Sequence, residues 1–384
     1  MISPSISSKL PWVGTNIFTV MSALARQNNA INLSQGFPDF SCDPLLTDYV
    51  SRAMKEGYNQ YAPMPGLPAL CEEISQMIKE IYDYSYDPAT EITITCGASE
   101  ALYCAIAAVV RPGDEVIVLE PAYDLYLPAI ELSGGIPVRY ALKPPDYRIN
   151  WEEVKKLVSP RTRVIMLNTP HNPTGSILYP EDLRQLSALL SHTDIFIISD
   201  EVYEHIIFDG NIHQSMARYP DLAARSFIVS SFGKSLHATG WKVGYCLAPA
   251  PLSAELRKIH QFVGFSTSTP FQQGIAGYLR DERSKIMEIK TFYQRKRDLF
   301  LQLMQGSRFR PIASRGTYFQ LMSYEEISDE SEMAFAQRLT IESGVACIPV
   351  SVFYRHRVEN KVVRFCFAKE DLTLERAAEK LIKL

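Results

Sequence analysis

Along the middle of the chain, short apolar runs alternate with stretches whose apolar positions recur at helical spacing. Glu91 to Thr95 (EITIT), Glu115 to Leu119 (EVIVL), Arg163 to Leu167 (RVIML), Ile195 to Ser199 (IFIIS) and Phe227 to Ser230 read as strands. Ser99 to Val110 and the amphipathic Glu181 to Ser191 read as helices between them. Strands that are apolar on both faces, separated by helices, predict an α/β domain on a mostly parallel sheet. After about Ser284 the pattern changes: a long helical stretch to Met304 is followed by TYFQLM (Thr317 to Met322), KVVRFCFA (Lys361 to Ala368) and a closing helix. That order predicts a smaller α+β unit. With no repeat, low-complexity tract or linker between them, the two units are expected to pack closely.

Composition narrows the class of protein. The 384 residues suffice for two domains or one large one, and 46% hydrophobic with 21% charged residues describes an ordinary soluble globular chain. The 39 basic and 43 acidic residues give a net charge of −4 without any block of like sign, so neither a nucleic acid nor an anionic membrane is an expected partner. The longest purely apolar run, Ala101 to Val110, has about half the length of a membrane span. The start, MISPSISSKLPWVG, carries neither a signal-type apolar core nor an Arg-rich transit pattern, which predicts a cytoplasmic protein. Seven scattered cysteines without a C-x-x-C pair predict buried reduced thiols, not a disulfide framework or a metal site.

Candidate chemistry gathers where the strands end, which is where open α/β sheets bind ligands. The first strand runs into Cys96-Gly97-Ala98-Ser99 at the start of a helix; its free N–H groups suit a phosphate, although Ser99 could equally be a plain helix cap. Arg163 to Leu167 leads into NTPHNPTG, a rigid turn in which Asn172 either bonds its own backbone or faces a ligand. Asp200, directly after four apolar residues, must cap a turn or meet a cationic atom, and Tyr203 would lie on the same side if a helical turn begins there. The segment SSFGKSLHATGWKVG holds two lysines, of which Lys234 is either a surface charge or a desolvated amine able to bond covalently to a carbonyl.

Taken in order, NTPHNPTG, SDEVY, SSFGKSLHATGWKVG and KVVRFCFA, with the earlier INLSQGFPDF and NQYAPMPGLPALCEEI, resemble the class I aminotransferases of pyridoxal-phosphate fold type I. Within them the chain is most similar to the branch of methionine and kynurenine (glutamine transaminase K) aminotransferases, from about Lys9 onward. The resemblance implies a large domain (46–284) with a seven-stranded, mostly parallel sheet, and a small domain built from 1–45 and 285–384. It implies pyridoxal 5′-phosphate bound covalently by Lys234, with Asp200 at the pyridine nitrogen, Tyr203 and Asn172 at the ring oxygen, and Tyr123 stacked on the ring face. The phosphate would meet Gly97, Ala98, Ser99, Ser231 and Lys242, the last standing where many relatives have arginine. Arg364 would clamp the substrate α-carboxylate beside the Gly36 backbone. Tyr61 would reach the phosphate in the neighbouring subunit and Phe265 its substrate pocket, implying a homodimer with shared sites. Phe18, Tyr61, Tyr123, Phe265 and Phe353 are candidate pocket walls.

The expected reaction is ping-pong transamination of a neutral or aromatic amino acid, methionine favoured, because no motif matches the distal-carboxylate clamp of aspartate-specific relatives. Three competitors remain. A carbon–sulfur β-lyase would use the same cofactor residues; a nicotinamide dehydrogenase would need a G-x-G-x-x-G that is missing; a regulator on this fold would need an extra DNA-binding segment.

Overall fold

A computed structural model of the protein describes residues 6–356 and 358–384; residues 1–5 of the N-terminal stretch read above for a targeting signal lie outside the described residues. Seven strands form the large sheet: β1 (Ile92–Thr95), β2 (Glu115–Glu120), β3 (Ile136–Ala141), β4 (Thr162–Asn168), β5 (Phe196–Asp200), β6 (Ser226–Ser231) and β7 (Gly244–Leu247). Their spatial order is β1-β7-β6-β5-β4-β2-β3. The pairs from β6 across to β3 are parallel, whereas β7 runs antiparallel to both β6 and β1. This is the mixed seven-stranded sheet of an α/β fold.

Alternate residues of the central strands feed two different cores, as the pleat requires. Ile117, Ile165, Ile197 and Ile228 pack on one face, and Val116, Val164, Ile198 and Phe227 on the other. Hence the even run of apolar residues in each strand. Two strands escaped the pattern. β3 is an edge strand, half exposed and interrupted by Pro137 and Arg139, and only an edge tolerates proline. β7 starts at Gly244, a poor strand former, and runs straight into Ala248-Pro249, so no alternation marks it.

The smaller sheet consists of β8 (Arg310–Pro311), β9 (Phe319–Ser323), β10 (Ile348–Pro349) and β11 (Val362–Cys366), in the order β10-β11-β9-β8. β9 begins two residues later than the motif TYFQLM suggests because Thr317 sits at φ 66°, outside the extended region. The long helix spans Ser284–Leu303 and the closing helix Asp371–Leu381. Their apolar faces, with Met21 and Leu33 from the N-terminal part, form a third core that also takes in Tyr203, Ile206 and Phe208. The chain leaving β5 is therefore gripped by the small sheet's core, and the carboxyl ends of β4, β5 and β6 face the junction. All seven cysteines are free thiols, five of them buried. Among the described residues no helix is long and apolar enough to cross a membrane, and no group of three or more His, Cys, Asp or Glu side chains could hold a metal ion.

Candidate active site

A cavity of about 130 Å³ opens at the carboxyl ends of the central strands. Gly97, Ala98, Ser99, Tyr123, Asn172, Asp200, Tyr203, Ser231, Lys234 and Lys242 line it, so among the expected cofactor contacts only Tyr61 is missing.

Lys234 belongs to a single helical turn, Phe232–Ser235, that starts where β6 ends. Its Nζ donates to the Tyr318 hydroxyl at 3.0 Å and to the Gly36 carbonyl at 3.4 Å. Burial pushes this amine down to about 8, and the positive charges of Lys242 and Arg364 act in the same direction. The bland reading, a solvated charge, does not hold for Lys234. Lys242 is different: its side chain is exposed at the cavity mouth, and the backbone there adopts φ 55°. Its Nζ lies 3.1 Å from where a Cβ on Gly97 would stand, which places the charge against the turn that opens the helix Ala98–Val109.

That turn is built around glycine. Gly97 is the helix cap at φ 80°, so Ser99 lies inside the first turn and is not the cap. Gly244 closes on the turn from β7, where a Cβ would come within 2.7 Å of the Ala98 nitrogen. Backbone N–H groups at a helix start, a lysine, and the Ser231 hydroxyl thus surround one end of the cavity.

At the other end is Asp200, 4% exposed, whose carboxylate accepts from the Tyr126 hydroxyl at 2.6 Å and from the Val202 N–H at 3.3 Å. Burial pushes its carboxyl up to about 6. A protonated ring nitrogen facing it would stabilise the carboxylate form. Tyr203 lines the cavity three residues on, its ring 5.1 Å from that of Tyr318 in an edge-on contact, and burial raises its phenol far above the ordinary value.

Asn172 does not bond its own backbone through its side chain. Its Oδ1 accepts from Arg364 at 2.8 Å, which leaves the amide NH₂ as a donor on the cavity wall. Arg364 lies on β11, an interior strand, and is 0% exposed; the edge-strand alternative is overturned. Its guanidinium lies over the Phe319 ring at 3.8 Å and near Phe18 and Phe353, donates to the Ser34 carbonyl at 3.0 Å, and keeps Nε without a partner among the described residues. Burial lowers it to about 10. A buried guanidinium with an unused donor suits a carboxylate.

Tyr61 and Phe265 are not brought to this cavity. They lie on the surface, 83% and 44% exposed, with their rings 5.4 Å apart. Three contributors went unread in the sequence. Asn168 lines the cavity and donates to the Asp200 carbonyl at 2.9 Å; it is the first letter of NTPHNPTG and its position at a strand end was the available signal. Tyr126 stands three residues after Tyr123, at helical spacing. Tyr318 stands just before β9, far along the chain from Lys234, and nothing local marks it.

The residues fit pyridoxal 5′-phosphate: an amine for its aldehyde, a carboxylate opposite the helix start, and a cation with N–H donors for its phosphate. The family model described as aminotransferase class I and II matches residues 28–381. The chain is 50% identical over 377 residues to methionine aminotransferase of Escherichia coli, covering 98% of each. It is 34% identical to kynurenine–oxoglutarate transaminase of Dictyostelium discoideum, covering 97% of this chain and 94% of that one. A solved Escherichia coli structure reported as a methionine aminotransferase superposes with a TM-score of 0.98 at 49% identity over 100% of both chains. The N-succinyldiaminopimelate aminotransferase of Mycobacterium tuberculosis superposes with 0.95 at 34% identity, covering 99% of this chain and 100% of that one.

Proposed function

The chain belongs to the class I and II aminotransferases and is a pyridoxal-phosphate-dependent transaminase, and from that premise we propose that it moves the amino group of a neutral or aromatic L-amino acid, methionine foremost, to a 2-oxo acid. The observation that carries the substrate is the 50% identity, end to end, with the Escherichia coli methionine enzyme. The relatives named above are all transaminases, which favours this reaction over carbon–sulfur lyase chemistry.

Bound pyridoxal 5′-phosphate supplies an aldehyde that takes up amines covalently and a ring that draws electrons from the bond broken at the substrate Cα. Lys234 would hold the aldehyde carbon through Nζ. Its Nζ amine, about half of it neutral at pH 8, would accept the proton at the substrate Cα and return it. Asp200 keeps the ring nitrogen protonated, itself steadied by Tyr126. Tyr203 and the Asn172 amide donate to the ring oxygen, and Tyr123 covers the ring face. Gly97, Ala98, Ser99, Ser231 and Lys242 hold the phosphate. Arg364 grips the substrate carboxylate next to Gly36, while Phe18 and Phe353 supply apolar wall.

The same proposal includes a homodimer in which Tyr61 and Phe265 complete the partner's site. Exposure of Tyr61, Phe262 and Phe265 together supports it. It includes the division into residues 46–284 and 1–45 with 285–384, supported by the placement of all large-sheet strands within 92–247 and all small-sheet strands within 310–366. A cytoplasmic location fits seven free thiols. An amino-donor panel read as kcat/KM is the test: methionine should lead, with phenylalanine, tyrosine, glutamine and kynurenine behind it. Aspartate in first place would reject the substrate assignment.

A further inference from the structure

Glu100 and His260 lie just outside the cavity and have no part in the reading above. Glu100 sits in the first turn of the helix that Gly97 caps, and its Oε2 accepts from the Cys96 N–H, so the carboxylate folds back over the turn expected to hold the phosphate. Its Oε1 is 2.7 Å from Nδ1 of His260, which is fully buried, and Nε2 of the same ring is 3.0 Å from the Met64 carbonyl. A carboxylate and a carbonyl are both acceptors, and His260 bridges the two through its two ring nitrogens. Gly264, just past the helix carrying His260, closes on the pair: a Cβ there would lie 2.3 Å from Glu100 Oε1.

Met64 belongs to the segment that carries Tyr61. Two further bonds tie this segment to the stretch after Gly264: the Ser266 hydroxyl donates to the Ala62 carbonyl at 3.0 Å, and that of Thr269 donates to the Gln60 carbonyl. His260 therefore touches two things at once, the phosphate turn of its own chain and the surface segment presenting Tyr61 and Phe265.

We infer that His260 is a positioning residue for cofactor binding: through Glu100 it sets the Cys96–Ser99 turn that takes the phosphate, and through Met64 it sets the Tyr61 segment offered to the partner subunit. The inference rests on the cofactor reading proposed above. It makes one bridging side chain responsible for ordering both the phosphate turn and the Tyr61 segment.

The test compares pyridoxal 5′-phosphate with pyridoxal, which lacks the phosphate. Each full-length chain, freed of cofactor, is titrated with both compounds by quenching of tryptophan fluorescence, and its fold is checked by circular dichroism. Loss of one charge-assisted hydrogen bond corresponds to about tenfold in affinity. His260→Gln, which can no longer bridge both acceptors, should weaken pyridoxal 5′-phosphate by that order and leave pyridoxal unchanged. Gly264→Ala, which displaces the Glu100 carboxylate while keeping His260, should move the same ratio in the same direction. A purely structural role would lower the melting temperature or weaken both compounds equally. An unmoved ratio in the folded variants overturns the inference. Lys242→Ala separates the two levels. If it moves the ratio and His260→Gln does not, the phosphate site stands and His260 is rejected; if Lys242→Ala leaves the ratio unmoved, the phosphate reading itself fails.

Discussion

Asp200 and Lys234 each sit where burial disfavours their charge, and that has a cost which the reaction can use. Asp200 moves from an ordinary 3.8 to about 6, so between these values the folded chain binds more protons than the unfolded one. Its contribution to stability is present below pH 3.8 and lost as pH rises through 6. Lys234 is lowered from 10.5 to about 8, so the folded chain binds fewer protons in that window and gains stability as pH rises through it. Asp200→Asn should therefore raise the melting temperature of the cofactor-free chain at pH 8 and not at pH 4, while nearly abolishing transamination. Calorimetry at the two pH values checks it; equal shifts at both would show that the carboxylate is not strained. Lys234→Ala should abolish turnover outright, and retained activity would remove the covalent mechanism. At this scale the sequence showed which residues stand at strand ends, hence Asp200, Asn172 and Lys234. It could not show that Tyr318 reaches Lys234 across 84 positions of chain, or that the Tyr126 hydroxyl is aimed at Asp200.

Among the elements, the turn from β1 into the helix Ala98–Val109 carries the most constraint. Gly97 has a positive φ, and a side chain there would also press on Lys242. Gly97→Ala combines backbone strain of about 1–3 kcal/mol with displacement of the lysine. The expected result is a cofactor affinity lowered by at least about tenfold, measured by titration. An unchanged affinity would mean that this turn does not hold the phosphate. The strands that carry the site were legible because each is apolar on both faces, whereas β3 and β7 were not: one is a half-exposed edge with a proline, the other opens on a glycine and ends against Ala248-Pro249. Arg364 looked compatible with an edge strand because a sequence does not reveal which strands flank a given one. Its place between β10 and β9 is a tertiary fact.

For the whole molecule, the chain alone leaves Tyr61 and Phe265 on the surface, and the proposed dimer gives them a role. Mixing chains decides whether Tyr61 acts across the interface. In a hybrid of one Lys234→Ala chain and one Tyr61→Ala chain, a tyrosine acting in trans restores one intact site; a tyrosine acting within its own chain restores none. Recovery of activity on mixing, beyond the sum of the two parents, is the expected outcome. The function itself has a more direct test. Holoenzyme mixed with L-methionine and no oxo acid should show the absorbance of the bound cofactor change once, with 2-oxo acid released in proportion to enzyme, then stop until an oxo acid is added. Continuous release of ammonia without an acceptor, or a cofactor spectrum unmoved by methionine, phenylalanine and glutamine alike, would contradict transamination of a neutral amino acid at Lys234.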